Sequence, residues 1–302
     1  MFKSWDNLSD ERINILAKIG FKAQRSRIDL NLTIREFLVN INGKVILIVG
    51  ASTGMGRVVA LKAASLGAKL AITARSEDKL DKLKGEIRNI GAECLCIAAD
   101  ALDENASEQL VSSVVRHFSC IDIVLLNVGG APAIDMRTMN ASEVKWYMRS
   151  NYDVTVNYLF PVLTQMKVQK SGLVVHTNSL AGFLGLPMQG PYSAAKGATR
   201  LLMDTCRIEF SEYGIKFLTV YPGFIATART QGDGMKAPLE LSEEKGADHI
   251  LYAIEKDKAN YLFPFVMRWL IRLARVLPQR LLNAILKRGV PTLRDDSDSK
   301  VV

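Results

Sequence analysis

Between Gly43 and Tyr221 the chain alternates apolar runs of strand length with amphipathic stretches of helix length, and this rhythm limits the fold more than any other feature. The runs are VILIVG (45–50), KLAIT (69–73), CLCIAA (94–99), IDIVLLN (121–127), LVVHTN (173–178) and KFLTVY (216–221). They stay apolar instead of alternating, as strands covered on both faces do. Strand and helix in turn then imply an α/β fold: a doubly wound parallel sheet, Rossmann-like, with helices on both faces and ligands at the carboxyl ends of the strands. An apolar content of 48% in 302 residues is ample for the core this requires. Residues 1–42 read as a helical N-terminal extension, 43–264 as the main domain, 265–294 as basic amphipathic helices and 295–302 as a frayed polar tail.

Directly after the first run comes GASTGMG, which holds Gly50, Ser52, Thr53, Gly54, Met55 and Gly56 before a helix-compatible stretch from Arg57. A strand, a glycine turn and a helix start together offer backbone N–H groups and a positive helix end to a pyrophosphate. The same letters also match G-x-S-x-G, in which Ser52 would be the nucleophile of a serine hydrolase. That rival needs an oxyanion loop upstream, and no HGGG-like segment precedes the strand. At the end of the second run, AITARS places Arg75 and Ser76 where an acid would favour a free ribose 2′-hydroxyl, so the expected cofactor is NADP(H).

PYSAAK sets Tyr192 four residues ahead of Lys196 with only small side chains between them. On a helix the two lie on one face, a turn apart. A phenol with its ordinary pKa of about 10 exchanges protons poorly at neutral pH, and a neighbouring ammonium lowers that value. Tyr192 is therefore a candidate general acid or base. A tyrosine and a lysine four apart also arise by chance, so the rest of the chain must decide.

The glycine loop, Asn127 after the fourth strand, Ser179 after the fifth, and then Tyr192 and Lys196 together resemble the short-chain dehydrogenase/reductase family over residues 43–227. The resemblance implies that Ser179 hydrogen-bonds the substrate carbonyl, Tyr192 donates the proton, and Lys196 tunes Tyr192 while holding the nicotinamide ribose. It implies that Asn151 completes the tetrad through a water relay, with Asn157 close enough in sequence to compete for that role. By the same resemblance Asp100 and Ala101 meet the adenine, Asn127 and Gly129 support the cofactor, and Pro222, Gly223, Ile225 and Thr227 lie beside the nicotinamide. Two supporting positions depart from the family pattern: NVGG (127–130) stands for N-A-G, and Val49 stands where a threonine is common. The proton-handling set is complete, which argues against a non-catalytic nucleotide sensor. Family members form homo-oligomers, and a dimer or tetramer is expected here.

Composition narrows the remaining options. Cys94, Cys96, Cys120 and Cys206 are too few and too scattered for a disulfide framework and lack the second pair of a zinc site, so buried thiols, a reducing intracellular setting and no metal are expected. The first residues lack the basic start and apolar run of a signal peptide. Net charge is +8, and residues 264–294 hold seven Lys/Arg and no Asp/Glu. There Arg268, Arg272 and Arg275 recur at helical spacing beside Trp269, and Pro278 divides the segment into two helices. Such a stretch either lies on a membrane surface or packs on the domain or a second copy. Nucleic acid is not an expected partner, because the basic residues alternate with bulky aliphatics. Residues 228–241 read as a mobile lid and YLFPF (261–265) as a strand closing the sheet. LAGFLGLPM after Ser179, together with Phe224, suggests a hydrophobic carbonyl substrate. Within the family this looks most like long-chain, sphingoid or steroid ketone reductases, with a soluble 3-oxoacyl-thioester reductase as the alternative.

Overall fold

The structure is a computed structural model and describes residues 40–130, 134–226 and 239–288. Seven parallel strands form one sheet: β1 (Val45–Val49), β2 (Lys69–Ala74), β3 (Cys94–Ala98), β4 (Ile123–Leu126), β5 (Gly172–Thr177), β6 (Ile215–Pro222) and β9 (Asn260–Phe263), in the order β3-β2-β1-β4-β5-β6-β9. A two-stranded parallel piece, β7 (Ile225–Ala226) with β8 (Leu241–Ser242), lies beyond β6. Each of the six apolar runs forms a strand, and YLFPF supplies most of β9, which pairs with β6 through Thr219–Pro222 and closes that edge. Central strands are buried along their whole length, as their unbroken apolar sequences require.

Strand order reverses between β1 and β4, so the loops leaving these two strands border one crevice at the carboxyl ends. The first crossover is α1 (Gly54–Ser65), which begins three residues earlier than the apolar pattern suggests. Its inward residues Gly56, Val59, Ala60, Ala63 and Ala64 are small, so the helix lies close to the sheet, and α7 (Glu243–Glu255) covers it from outside. α2 (Glu77–Asn89) and α3 (Glu104–Phe118) make the next two connections. α4 (Ala141–Asn151) opens with a reciprocal cap between Asn140 and Glu143, and α5 (Asp153–Gln169) follows it directly.

α6 (Gly190–Glu209) carries PYSAAK in its first turns, which puts Tyr192 and Lys196 one helical turn apart. At the far end of α6 the Arg207 guanidinium donates to the Phe217 and Ala259 carbonyls at 3.2 and 3.1 Å and pairs with Asp204 at 2.7 Å. It thus ties α6 to β6 and to the start of β9. After β9 the chain forms α8 (Phe265–Val276) and α9 (Gln279–Lys287), separated at Pro278 as expected. Residues 1–39 of the helical extension expected over 1–42, the tail 295–302 and most of the expected lid lie outside the described residues; residues 40–42 are not helical. Arg207→Ala strips hydrogen bonds from two carbonyls at the sheet edge and is expected to lower unfolding free energy by about 2 kcal/mol in urea titration.

Candidate active site

The first loop of the crevice is built by glycines that have no room for a side chain. Gly50 has φ +85°, and a Cβ there would sit 2.7 Å from the Asn127 carbonyl oxygen. At Gly56 a Cβ would run into the Gly50 carbonyl and come within 2.8 Å of the Asn127 Nδ2. Asn127 itself donates from its backbone to the Val49 carbonyl at 3.0 Å and from Nδ2 to Gly50 at 3.5 Å. The loop after β1 and the loop after β4 are therefore pressed into one wall, with Val128 Cγ2 also within 3.1 Å of where a Gly50 Cβ would sit. Thr53 is the N-cap of α1, yet its side chain makes no capping bond. First-turn N–H groups with no cap are a cradle for an anion, and the residues present fit a dinucleotide pyrophosphate.

The geometry counts against the hydrolase reading of Ser52. All three histidines are described: His117 pairs with Glu93 at 3.2 Å, His249 with the Tyr261 hydroxyl at 3.0 Å, and His176 is wholly buried in β5 with neither ring nitrogen hydrogen-bonded among the described residues. Ser52 thus has no imidazole base.

Arg75 follows β2 on the surface and makes no hydrogen bond or ion pair among the described residues. Ser76 is the N-cap of α2, and its hydroxyl also makes no cap bond. A guanidinium and a hydroxyl thus stand side by side without protein partners. Asp100 is exposed after β3 and accepts from the Leu102 N–H at 3.0 Å, which shapes the turn around the buried Ala101. Asn157 donates to the Ala101 carbonyl at 2.9 Å and so holds that turn.

Asn151, not Asn157, reaches the Tyr192/Lys196 helix. It is buried at the end of α4, accepts from the Gly130 N–H at 2.9 Å and donates to the Tyr147 carbonyl at 3.1 Å. A Cβ on Gly129 (φ +132°) would lie 2.7 Å from Asn151 Oδ1 and 3.5 Å from Lys196 Nζ, so the three residues meet at one point. The buried Lys196 ammonium donates to the Thr177 carbonyl at 3.0 Å and lies 5.7 Å from the centre of the Tyr192 ring. Burial lowers its pKa to about 8. Burial also raises the pKa of the half-buried Tyr192 phenol, with the neighbouring Ser179 hydroxyl pulling the other way. The pairing with Lys196 implied a lowered phenol; in the folded chain burial dominates and only the Ser179 hydroxyl opposes it, while the Lys196 ammonium is directed to the Thr177 carbonyl. Tyr192 is consequently a protonated donor at neutral pH.

Ser179 accepts from the Ala181 N–H at 3.1 Å and so caps the short turn Leu180–Phe183, while its hydroxyl proton can still be donated on the side of the Tyr192 phenol. Pro222 ends β6; the Gly223 N–H donates to the Phe263 carbonyl at 2.8 Å, and Ile225 lies in β7. Thr227 lies outside the described residues. Two residues that sequence reasoning passed over hold the site together. Asn178 is buried, donates to the Lys196 carbonyl at 3.0 Å and the Thr199 hydroxyl at 3.1 Å, and accepts from the Ser179 N–H at 2.8 Å. Gly182 lets the Ser179 turn lie against α6, since a Cβ there would come within 2.6 Å of Asn178 Oδ1 and 2.9 Å of the Lys196 carbonyl. A polar residue ending an apolar strand was the available signal for Asn178.

The lowered Lys196 pKa has a thermodynamic consequence. Between pH 8 and the ordinary lysine value, 10.5, the unfolded chain holds a proton at this site that the folded chain has released, so stability gains with rising pH. Relative to Lys196→Met, nucleotide-stripped protein is expected to gain up to about 3 kcal/mol across that window in denaturant titrations. A flat difference would mean that the ammonium is not desolvated.

The comparisons with known proteins agree with this geometry. Residues 44–237 match the family model described as short chain dehydrogenase. The chain is 32% identical over 191 residues to an uncharacterized oxidoreductase of Listeria monocytogenes, covering 63% of this chain and 77% of the relative. It is 30% identical over 231 residues to the 3-oxoacyl-(acyl-carrier-protein) reductase of Staphylococcus epidermidis, covering 72% and 94%. Among solved structures, NAD+-bound xylitol dehydrogenase superposes with a TM-score of 0.69 over 74% of this chain and 99% of that one; at 23% identity the likeness shows the fold alone. With the family model matching well over half of its length, a sheet order that places the glycine loop at the switch point, and Tyr192 and Lys196 on one helix face, the chain belongs to the short-chain dehydrogenase family of oxidoreductases.

Proposed function

We propose that the protein reduces a ketone to a secondary alcohol at the expense of NADPH, on a hydrophobic substrate. The observation that carries this reading is the meeting of Lys196 and Asn151 at Gly129, with the Tyr192 ring 5.7 Å from the Lys196 ammonium and Ser179 on the adjoining turn. NADPH, when bound, supplies the hydride. The residues that would hold it are Gly50, Ser52, Thr53, Gly54, Met55 and Gly56 at the pyrophosphate, and Arg75 and Ser76 at the 2′-phosphate. Asp100 and Ala101 would hold the adenine, and Asn127, Gly129, Pro222, Gly223, Ile225 and Thr227 the nicotinamide half. Arg75 without a protein partner supports the phosphorylated cofactor, because a bare guanidinium gains most from a phosphate.

Within this reading Ser179 donates a hydrogen bond to the substrate carbonyl oxygen and orients it. Tyr192, kept protonated by burial, gives its proton to that oxygen. Lys196, mostly an ammonium at neutral pH, stabilises the phenolate left behind, and Asn151 lies on the side from which a proton is returned. Half-buried Phe183, Leu184, Leu186, Met188 and Phe224 near the Ser179 turn favour an apolar substrate of the long-chain, sphingoid or steroid kind. The similarity to a 3-oxoacyl-(acyl-carrier-protein) reductase favours a second reading, reduction of 3-oxoacyl thioesters. Exposed Phe160 and Val168 on α5 and Leu201 and Ile208 on α6 support assembly of identical copies, and four free cysteines suit a reducing intracellular compartment.

NADPH consumption with ketones of one headgroup and increasing chain length separates the two readings: turnover rising with chain length supports the first, turnover confined to thioesters the second. Tyr192→Phe is expected to lower kcat by at least about 100-fold in either case, and an unimpaired variant would remove the proton-donor role. Arg75→Ala is expected to raise KM for NADPH about tenfold with little change for NADH, as loss of a charge-assisted bond implies; equal losses would reassign the cofactor.

A further inference from the structure

We infer that α8 and α9 form a docking surface for an anionic lipid bilayer. Around the axis of α8 three sectors separate cleanly. Met267 and Ile271 face inward, where they pack with Leu180, Phe183 and Tyr221. Arg268, Arg272 and Arg275 form a second sector at helical spacing, lying over the rings of Phe265, Trp269 and Phe183. The third sector, Phe265, Val266, Trp269, Leu270, Leu273 and Val276, is apolar and exposed, from 51% at Trp269 to 77% at Val276. Leu281 and Ile285 extend it along α9, whose Leu282 turns inward. An apolar face bordered by arginines and carrying a tryptophan suits a helix lying in a bilayer surface, its apolar side chains among the acyl chains and its cations among the headgroups.

Charge selects this occupant over the others. Residues 264–288 carry six Lys/Arg and no Asp/Glu, so a second copy docked face to face would bring like charges together. Residues 1–39 carry seven Lys/Arg against five Asp/Glu and are a poor complement as well. Beside the arginine sector a cavity of about 200 Å³ is lined by Arg200, Arg272, Arg275, Phe183, Tyr221 and Asp204. Asp204 is already paired with Arg207 and Arg200, which leaves cationic surplus where a headgroup phosphate would lie. Among the described residues no helix is long and apolar enough to cross a membrane, so the contact is peripheral. The inward sector of α8 packs on the turn after Ser179, which places the surface beside the crevice; supply of a ketone from the bilayer would rest on the reductase reading, whereas the docking surface does not.

The test is sedimentation of the full chain with vesicles of phosphatidylcholine alone or mixed with phosphatidylglycerol, read without turnover. The protein is expected to sediment with the mixed vesicles only, and less so as salt rises. Trp269→Glu/Leu273→Glu is expected to abolish binding, and Arg272→Ala/Arg275→Ala to weaken it about tenfold. All four positions are exposed, so an unchanged melting temperature and circular dichroism spectrum should accompany these losses. Failure of the wild-type chain to bind, or equal binding by both variants, would overturn the inference. So would loss of a dimer in the glutamate variant with vesicle binding intact, which would assign the face to a second copy. None of these outcomes bears on Tyr192 chemistry, so the reductase reading stands or falls separately.

Discussion

The site depends above all on how α6 is fastened to the end of β5. Two short polar links do this: Lys196 donates to the Thr177 carbonyl, and Asn178 donates back to the Lys196 carbonyl while accepting from Ser179. Both are buried, so each bond operates where water cannot compete and where an unmade partner would be costly. Through them a single strand end determines where Ser179, Lys196 and, one turn earlier on the helix, Tyr192 stand relative to one another. Gly182 completes the arrangement by letting the Ser179 turn approach the helix backbone.

A second close approach joins this half of the molecule to the cofactor half. Gly50 and Gly56 let the loop after β1 touch Asn127, and Gly129, two residues farther on, lies against both Asn151 and Lys196. The chain Gly50, Asn127, Gly129, Lys196 therefore runs from the glycine loop after β1 to the Tyr192/Lys196 helix, and at Gly50 and Gly129 a larger side chain would not fit. At Gly129, the third position of NVGG, the geometry needs the absence of a side chain, and glycine meets that need.

The C-terminal helices belong to the same economy of contact. Only one sector of α8 is used for packing, and it packs on the Ser179 turn through Leu180 and Phe183. The arginines lie over aromatic rings and the remaining sector faces outward, so the element that supports one side of the crevice also carries three cations and no acidic residue.

By itself the sequence determined the sheet, because strands buried on both faces must be apolar throughout and glycine turns must stand where backbone meets backbone. It also showed Tyr192 and Lys196 as a pair, since helical spacing is local, and Pro278 as the break between the last helices. Only tertiary structure decided between Asn151 and Asn157, which lie six residues apart on either side of a helix break and reach different loops. The same holds for the direction in which the Tyr192 phenol is shifted: the lysine beside it is visible in the sequence, but the upward shift comes from burial, which depends on the whole fold. Asn178 and Gly182 were silent for a related reason, as their partners on α6 lie 14 to 21 residues away along the chain and become neighbours only when α6 lies down on β5.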